Sequence, residues 1–573
     1  MPKVSPMQAS FNGGEWSPLM YGRADLDPYK TAMAICLNGI PMVQGGWTRR
    51  PGTYWASEVK DSTKATRVVP FKYSTTTAYV IEFGDLYCRF YTNNGPVLES
   101  TQAITAISQA SPGVLTYSGS TSNDPTNGDV MYLLAIGGMT ELNGQFVKVA
   151  NVDTGANTFE LTDMGGANIA TTAFTAYTSG GTMQRVYTIT TPYAEADLFQ
   201  LHFTQSADVQ YKAHPSYPPR KLSRQAAATL TSPITTSVTV AVGEVKVAYD
   251  ELRINTGGTL TVNGEVDVKP GNAWTSAVIT FLDGPYLNIN AEDTTLTLGG
   301  TTGSVSVTAS ATTGINGGKG FLLTDVGRLI RWKDPAADWT WLTITGYTST
   351  TVVTARIDGQ DASGTTATAN WRLGVWSDTT GYPGSVTFFE DRLAWGGSTG
   401  SPQRIDMSKT GDYENMAPTD KDGVVAADNA VSVTLNSNDV QTIMWMANDE
   451  KGLMVGTSSS EWKVSPSTQS EALSPTNVSA KESTHHGSAN ISPVQAGRAT
   501  LYVQKGTRKI RELTYVYEVD GFRAPNMTVL AEHVTLSGIK EMAYQQEPQS
   551  IIWCVRDDGT LAAFTYERDQ KVL

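Results

Sequence analysis

A chain of 573 residues is too long for a single hydrophobic core, and at roughly 100–200 residues per domain it should fold as about three to five units. Its 42 Lys and Arg stand against 55 Asp and Glu, and this net charge of −13 excludes electrostatic gripping of phosphates by the chain as a whole. Three widely separated cysteines, Cys36, Cys88 and Cys554, exclude a disulfide framework and a Cys-x-x-Cys metal site.

The opening Met1-Pro-Lys-Val-Ser-Pro-Met7 has no apolar leader core, and no run of about eighteen apolar residues follows, so the expectation is a chain made in a cytoplasm and folding without a membrane. Next come Phe11-Asn-Gly-Gly-Glu-Trp-Ser-Pro-Leu-Met-Tyr-Gly-Arg23 and Gln44-Gly-Gly-Trp-Thr-Arg-Arg-Pro-Gly-Thr53, dense in special-backbone residues and empty of catalytic chemistry. Paired glycines let backbone approach backbone, Pro18 and Pro51 fix φ, and two adjacent arginines present permanent charge to a partner. Gly13, Gly14, Trp16, Gly45, Gly46, Arg49, Arg50 and Pro51 are therefore the candidate assembly-interface residues. With no second basic cluster nearby, Arg49-Arg50 reads as a clamp on a carboxylate of another subunit rather than a nucleic-acid contact. Between the two stretches, Asp27 as a cap, Pro28 in the first turn, Tyr29, Met33 and Leu37 at i, i+4, i+8 and Asn38-Gly39 as a stop predict a short helix. A second short helix is expected from Thr191-Pro192 through Ala196.

Almost everything else alternates at period two between turn signals, as in Ala78–Tyr91 followed by Asn93-Asn-Gly95. Similar hairpins recur at 201–211, 386–395, 452–464, 499–504 and 550–555, and from 386 onward their starts fall about 50 residues apart, the spacing of propeller blades. The fold class is all-β: a β-propeller core with inserted small β-barrel or β-sandwich domains and a short N-terminal helix. The expected division is an N-terminal arm, helix and first propeller strands over 1–100, an inserted barrel over 101–185, a propeller segment over 186–225, inserted β domains over 226–311 and 312–380, and the remaining blades over 381–573. Residues 101–183 hold six acids, Asp124, Asp129, Glu141, Asp153, Glu160 and Asp163, against Lys148 alone, whereas 1–73 hold nine bases against five acids.

No constellation calls for a catalytic residue, a cofactor or a metal. His485-His486 would point to opposite faces of a strand. Glu390-Asp391 and Asp557-Asp558 could serve a glycosidase, which needs two carboxylates across a bond, but both fit hairpin turns better. Gly396-Gly-Ser-Thr-Gly400 lacks the helix a nucleophile elbow requires. Lys505, Arg508, Lys509 and Arg511 read as a solvated strand edge that discourages edge pairing.

The two N-terminal stretches resemble the opening pattern of the tail nozzle (tail tubular protein B type) family of short-tailed bacteriophages. The likeness continues through Pro215-Ser-Tyr-Pro-Pro-Arg-Lys-Leu222, Trp376-Ser-Asp-Thr-Thr-Gly-Tyr-Pro383, Ser408-Lys-Thr-Gly-Asp-Tyr413, Leu435-Asn-Ser-Asn438, Val519-Asp-Gly-Phe522 and Ala543-Tyr-Gln-Gln-Glu-Pro548. The 101–185 insert resembles the small barrel annotated by similarity to the FCCH domain of ubiquitin-activating enzymes, without its chemistry. What the resemblance implies is a virion structural protein in the phage tail: a hexameric ring docked on a tail adaptor ring, contacting fibres or spikes, and passing genomic DNA without sequence-specific binding or a small-molecule substrate. An acidic lumen would keep that DNA from adhering. The chain departs from the family pattern at Glu567–Leu573, which stops inside what should be an outer blade strand where family members continue, so either the chain is shortened or another segment closes the ring, with the strands near Val68–Phe71 as the candidate. The rival reading is a carbohydrate-binding or carbohydrate-cleaving propeller, with Trp339, Trp341 and Trp371 as its stacking platform or, equally well, as the core of a small barrel.

Overall fold

The computed structural model describes the chain except residues 1–6, 73, 75–77, 120–123, 225–235, 241–242, 248–249, 255–257, 263–273, 289–292, 337, 469–470 and 568–573. The opening residues 1–6 and the expected strand end after Glu567 lie outside the described residues, as does part of the 226–311 region. The described chain is nearly all β, and it divides into two compact units: Met1–Trp55, Pro192–Lys221 and Ala277–Leu573 form one, and Ala56–Thr191 and Leu222–Ser276 form the other.

The second unit contains a sheet in which Thr188–Thr190, Tyr87–Thr92, Ala78–Gly84 and Arg67–Lys72 lie side by side in that order, with Gly95–Pro96 returning onto Tyr87–Thr92. Asn93 and Asn94 take φ of 50° and 65°, the left-handed pair a tight hairpin needs. Arg67–Lys72, offered above as a ring-closing strand, is the edge of this sheet and pairs with Ala78–Gly84. Trp274 stacks on Phe90 at 4.4 Å and meets Phe71 and Tyr79 edge-on, and its main chain exchanges hydrogen bonds with the Tyr187 hydroxyl. In the same unit, Gln102–Ile107, Val114–Tyr117, Val130–Gly137, Phe146–Asp153, Thr158–Thr162 and Ser179–Arg185 close into a six-stranded barrel around Leu115, Leu133, Val147, Phe159, Leu161 and Met183. Closure leaves no open edge.

The first unit is built from consecutive antiparallel meanders. One comprises His202–Ser206, Val209–His214 and the start of Tyr217–Arg224; the next Ser385–Phe389, Arg392–Ser398, Ser401–Met407 and Val431–Thr434; the third Ile443–Asp449, Gly452–Thr457, Glu461–Ser465 and Ser479–Thr484; the fourth Val494–Ala496, Ala499–Val503, Ile510–Val516 and Gly521–Arg523. A last sheet has three described strands, Ile539–Gln545, Ile551–Arg556 and Leu561–Thr565. First strands sit beside one another: His202–Ser206 beside Ser385–Phe389, that strand beside Ile443–Asp449, and Val494–Ala496 beside Ile539–Gln545. Beside the outer strand Leu561–Thr565 lies Gly39–Pro41 of the N-terminal arm.

A six-stranded sheet also belongs to this unit, in the order Leu296–Leu298, Ser304–Ala309, Val352–Ile357, Trp339–Ser349, Leu329–Lys333, Trp371–Leu373. The break expected near 312 falls inside it, because Ser304–Ala309 pairs with Val352–Ile357 and shares one core with Leu342, Ile344, Trp332 and Trp371.

The predicted helix over 27–38 is corrected to a single 3-10 turn, Asp27–Thr31. Pro28 starts it, but the cap position is Leu26 and Ala32 is already extended. The backbone groups that would have bonded within a helix go elsewhere: Thr31 O accepts from Gly13 N, and Met33 exchanges hydrogen bonds with Gly14 and Trp16. Ile35 and Leu37 stay exposed, so the stripe that was to anchor a helix too short to stand alone buries nothing at its end. The second short helix does form, as a 3-10 turn slightly later, Glu195–Gln200.

Candidate functional site

The arm of residues 7–55 holds all eight candidate interface residues, and its fold separates those used internally from those left for a partner. Gly13 lies so close to Thr31 that a Cβ would stand 2.7 Å from its Oγ1, and Gly14 has φ of 67°, so this glycine pair shapes the crossing of Phe11–Trp16 over Thr31–Met33. Trp16 is only 2% exposed, donates its indole N–H to Gly13 O at 3.0 Å and meets Tyr29 edge-on. It is thus the core of the arm and is removed from the interface set. Gly45, at φ 93°, turns the hairpin Gly39–Pro41/Trp47–Arg49 and accepts from Phe11 N, while Gly46 is exposed and unobstructed.

The two arginines diverge. Arg50 Nε donates to Asn38 Oδ1 at 2.8 Å and its Nη1 to Pro51 O at 3.0 Å, so its fork is spent within the arm. Arg49 is exposed, with no side-chain partner among the described residues, and Pro51 beside it is exposed as well. The same arm displays Met7, Leu19, Tyr21, Ile35, Leu37, Trp47, Tyr54 and Trp55, all exposed. Sequence reading missed this apolar display, since the helix it assumed would have turned Leu37 inward.

The arm is fastened to the far end of the chain. Ser17 N donates to Leu530 O at 2.7 Å, and Glu15 Oε1 meets His533 Nε2 at 2.7 Å while its Oε2 accepts from Cys36 N at 2.6 Å.

The other candidate chemistry resolves into structure. Glu390 and Asp391 take φ of 44° and 57° at the tip of the hairpin Ser385–Ser398; Glu390 accepts from Leu473 N and Asp391 from the Tyr413 hydroxyl. Asp558 accepts from Thr560 N, and Gly559 has φ of 79°, a tight turn. Trp371 and Trp339 are buried and Trp341 half-buried; Trp371 donates to Thr294 O inside the sheet core, so this side chain serves packing. Lys505, Arg508 and Lys509 are exposed around the turn after Ala499–Val503, whereas Arg511 donates to Gln504 and to Ala524 O. The barrel acids serve their own loops: Asp153 accepts from Gly155 N and Ala156 N, Asp163 from Ala167 N, Glu141 from Thr175 N, and Asp129 pairs with Arg185 at 3.2 Å. Cys88 and Cys554 are buried and in no disulfide among the described residues, and burial pushes the Cys554 thiol up to about 12. No cluster of three metal-ligating side chains occurs among the described residues.

Of the histidines, His202 bridges Asn490 and Ser492, His485 is exposed beside Glu482, and His214 is buried between Tyr193 and Tyr217. Burial holds the His214 imidazolium below its ordinary pKa of 6.5, with Asp197 at 3.8 Å opposing only in part. The unfolded chain therefore takes up this proton more readily, so stability is lost as pH falls below about 6.5 and through the lower folded value. Thermal midpoints of the wild type should fall further between pH 7.5 and 5.5 than those of His214→Gln; parallel falls would exclude His214 as the cause.

No protein-family model matches this chain, and no curated protein matches it either.

Proposed function

We propose that the chain is a virion structural protein, a tail nozzle subunit of a short-tailed phage that assembles into a six-membered ring, retains DNA and conducts it during ejection. The observation that carries this reading is the arm: its 49 residues expose eight large apolar side chains together with Arg49, and such a surface suits burial against another chain. Successive meanders with neighbouring first strands support a propeller body, in which Gly39–Pro41 lies where a closing strand would extend the three-stranded last sheet. In a closed ring each protomer uses two different patches head to tail, so the arm of one would meet a carboxylate-bearing surface of the next. Its work is mechanical: bury area between subunits, seal the channel, then shift from closed to open.

Negative-stain electron microscopy of the purified chain, alone and mixed with the tail adaptor, tests the reading. Rings of about six subunits with a central channel are expected, and dispersed monomers in both samples would overturn it and make glycan screening the next step. Within that test, Arg49→Ala should deplete rings, as loss of a buried interfacial charge pair costs about 2–5 kcal/mol. Arg50→Ala should leave them largely in place, its fork being engaged inside the arm. Undiminished rings in the Arg49/Arg50 double variant would remove the clamp.

A further inference from the structure

The second unit carries a buried polar cluster that a tail nozzle has no need of. On neighbouring strands Glu82 and Arg89 stand directly opposite one another, with Tyr87 and Tyr91 two places to either side of Arg89 on the same face. Glu82 is 2% exposed and fully engaged: the Tyr87 hydroxyl donates to Oε1 at 2.5 Å, the Tyr91 hydroxyl to Oε2, and Lys60 N to Oε1 at 3.4 Å. With both phenols on the carboxylate, Arg89 forms no ion pair with it.

Arg89 is itself only 1% exposed. It lies 5.7 Å from the centre of the Tyr87 ring and bonds to Tyr91, yet its Nε and Nη2 are buried with no acceptor among the described residues. Those two nitrogens form one edge of the guanidinium, the edge that takes two oxygens of a carboxylate or phosphate side by side. Lys60, half-buried, stands 5.3 Å from the same Tyr87 ring, and its ammonium has no carboxylate within ion-pair range among the described residues. Burial and the Arg89 charge both disfavour its protonated form, and Lys148 adds to the repulsion; Glu82 and Asp129 oppose it, but Glu82 is committed to the two phenols and Asp129 to Arg185. A buried guanidinium and a half-buried ammonium thus both stand over the Tyr87 ring. A charged donor buried without an acceptor is among the costliest features a fold can carry.

We propose that Arg89 and Lys60 hold a small tetrahedral oxyanion, inorganic phosphate or sulfate, beside the Tyr87 ring. The Arg89 edge supplies two parallel N–H donors, the Lys60 ammonium supplies a third contact and balances charge, and Tyr87 fixes both cations. A polymer is excluded as the ligand, since a guanidinium with almost no exposed surface is out of reach of a nucleic-acid backbone.

Titration calorimetry of the full chain with inorganic phosphate, and separately with sulfate, acetate and chloride at matched ionic strength, tests this. One phosphate per chain is expected, with sulfate competing and chloride and acetate without effect. Lys60→Met should weaken phosphate binding about tenfold, the loss of one charge-assisted contact, and Arg89→Met should abolish it. Should Arg89→Met fail to fold, Lys60→Met decides, its fold checked by an unchanged melting profile in chloride. Phosphate and sulfate heats no different from chloride would show that water alone fills the cluster, and wild-type phosphate affinity in Lys60→Met would place the anion elsewhere; either result overturns the proposal, whatever becomes of the nozzle reading.

Discussion

Asp325→Ala is expected to destabilise the six-stranded Trp-bearing sheet by about 3–5 kcal/mol, the cost of leaving a buried charge without its counterion. Asp325 and Arg328 are 0% and 1% exposed at the side chain and 2.9 Å apart. Asp325 Oδ2 also accepts from Asn316 Nδ2 at 2.7 Å and Leu322 N at 2.9 Å, and Arg328 donates to Asn316 Oδ1 and, through Nε, to Gly374 O at 2.7 Å just beyond the edge strand Trp371–Leu373. Removing the carboxylate orphans the arginine and frees the turn before Leu329–Lys333 together. Burial already disfavours the Arg328 charge, with Asp325 as its compensation. The paired replacement Asp325→Leu with Arg328→Met should recover most of the loss, since an apolar pair carries no desolvation cost. Calorimetry should show one transition moving down in the single variant and back up in the double; a single variant within about 1 kcal/mol of wild type would mean the pair is dispensable.

Trp395→Ala should cost about 3–5 kcal/mol in the other part of the same unit. Trp395 is fully buried on Arg392–Ser398, edge-on to Trp376 at 6.1 Å and Phe281 at 5.9 Å, within a cluster that includes Tyr211, Val386 and Leu393. Alanine leaves a cavity the size of an indole where two meanders share a core. Trp395→Phe should cost clearly less, because the indole N–H is buried without an acceptor and its removal returns a desolvation cost. Denaturant midpoints for the three proteins check the order, and equal losses for Ala and Phe would place the stabilisation in the indole N–H rather than in ring packing.

Local chemistry was legible wherever it is short-ranged. The alternation in Ala78–Tyr91, the left-handed asparagines that follow it, and the Glu390-Asp391 and Asp558-Gly559 turns all appear at the residues that signalled them, because turn type depends on a few adjacent side chains. At the candidate site Gly13 and Gly45 do stand at close approaches, to Thr31 and Ser10, whereas Gly46 meets nothing within 4 Å. Their neighbour across the chain was not visible: Gly13 meets Thr31, so the pair folds the arm instead of docking it. Trp16 went astray for the same reason, its hydrogen bond to Gly13 and ring contact with Tyr29 placing it inside. The 27–38 stripe had helical spacing, yet Met33 found better hydrogen-bonding partners on Gly14 and Trp16 than a short helix could offer.

The sequence by itself determined the all-β class, the hairpins and their turns, and the concentration of special-backbone residues in the arm, since hydrophobic period and turn propensity act between neighbours in the chain. Only the tertiary structure decided that Ser304–Ala309 joins Val352–Ile357, that Glu15 reaches His533, that Arg50 is spent while Arg49 is free, and that two tyrosines take Glu82 from Arg89. Each of those outcomes is a competition for one partner among groups far apart in sequence, settled by register and loop closure, which no local pattern encodes.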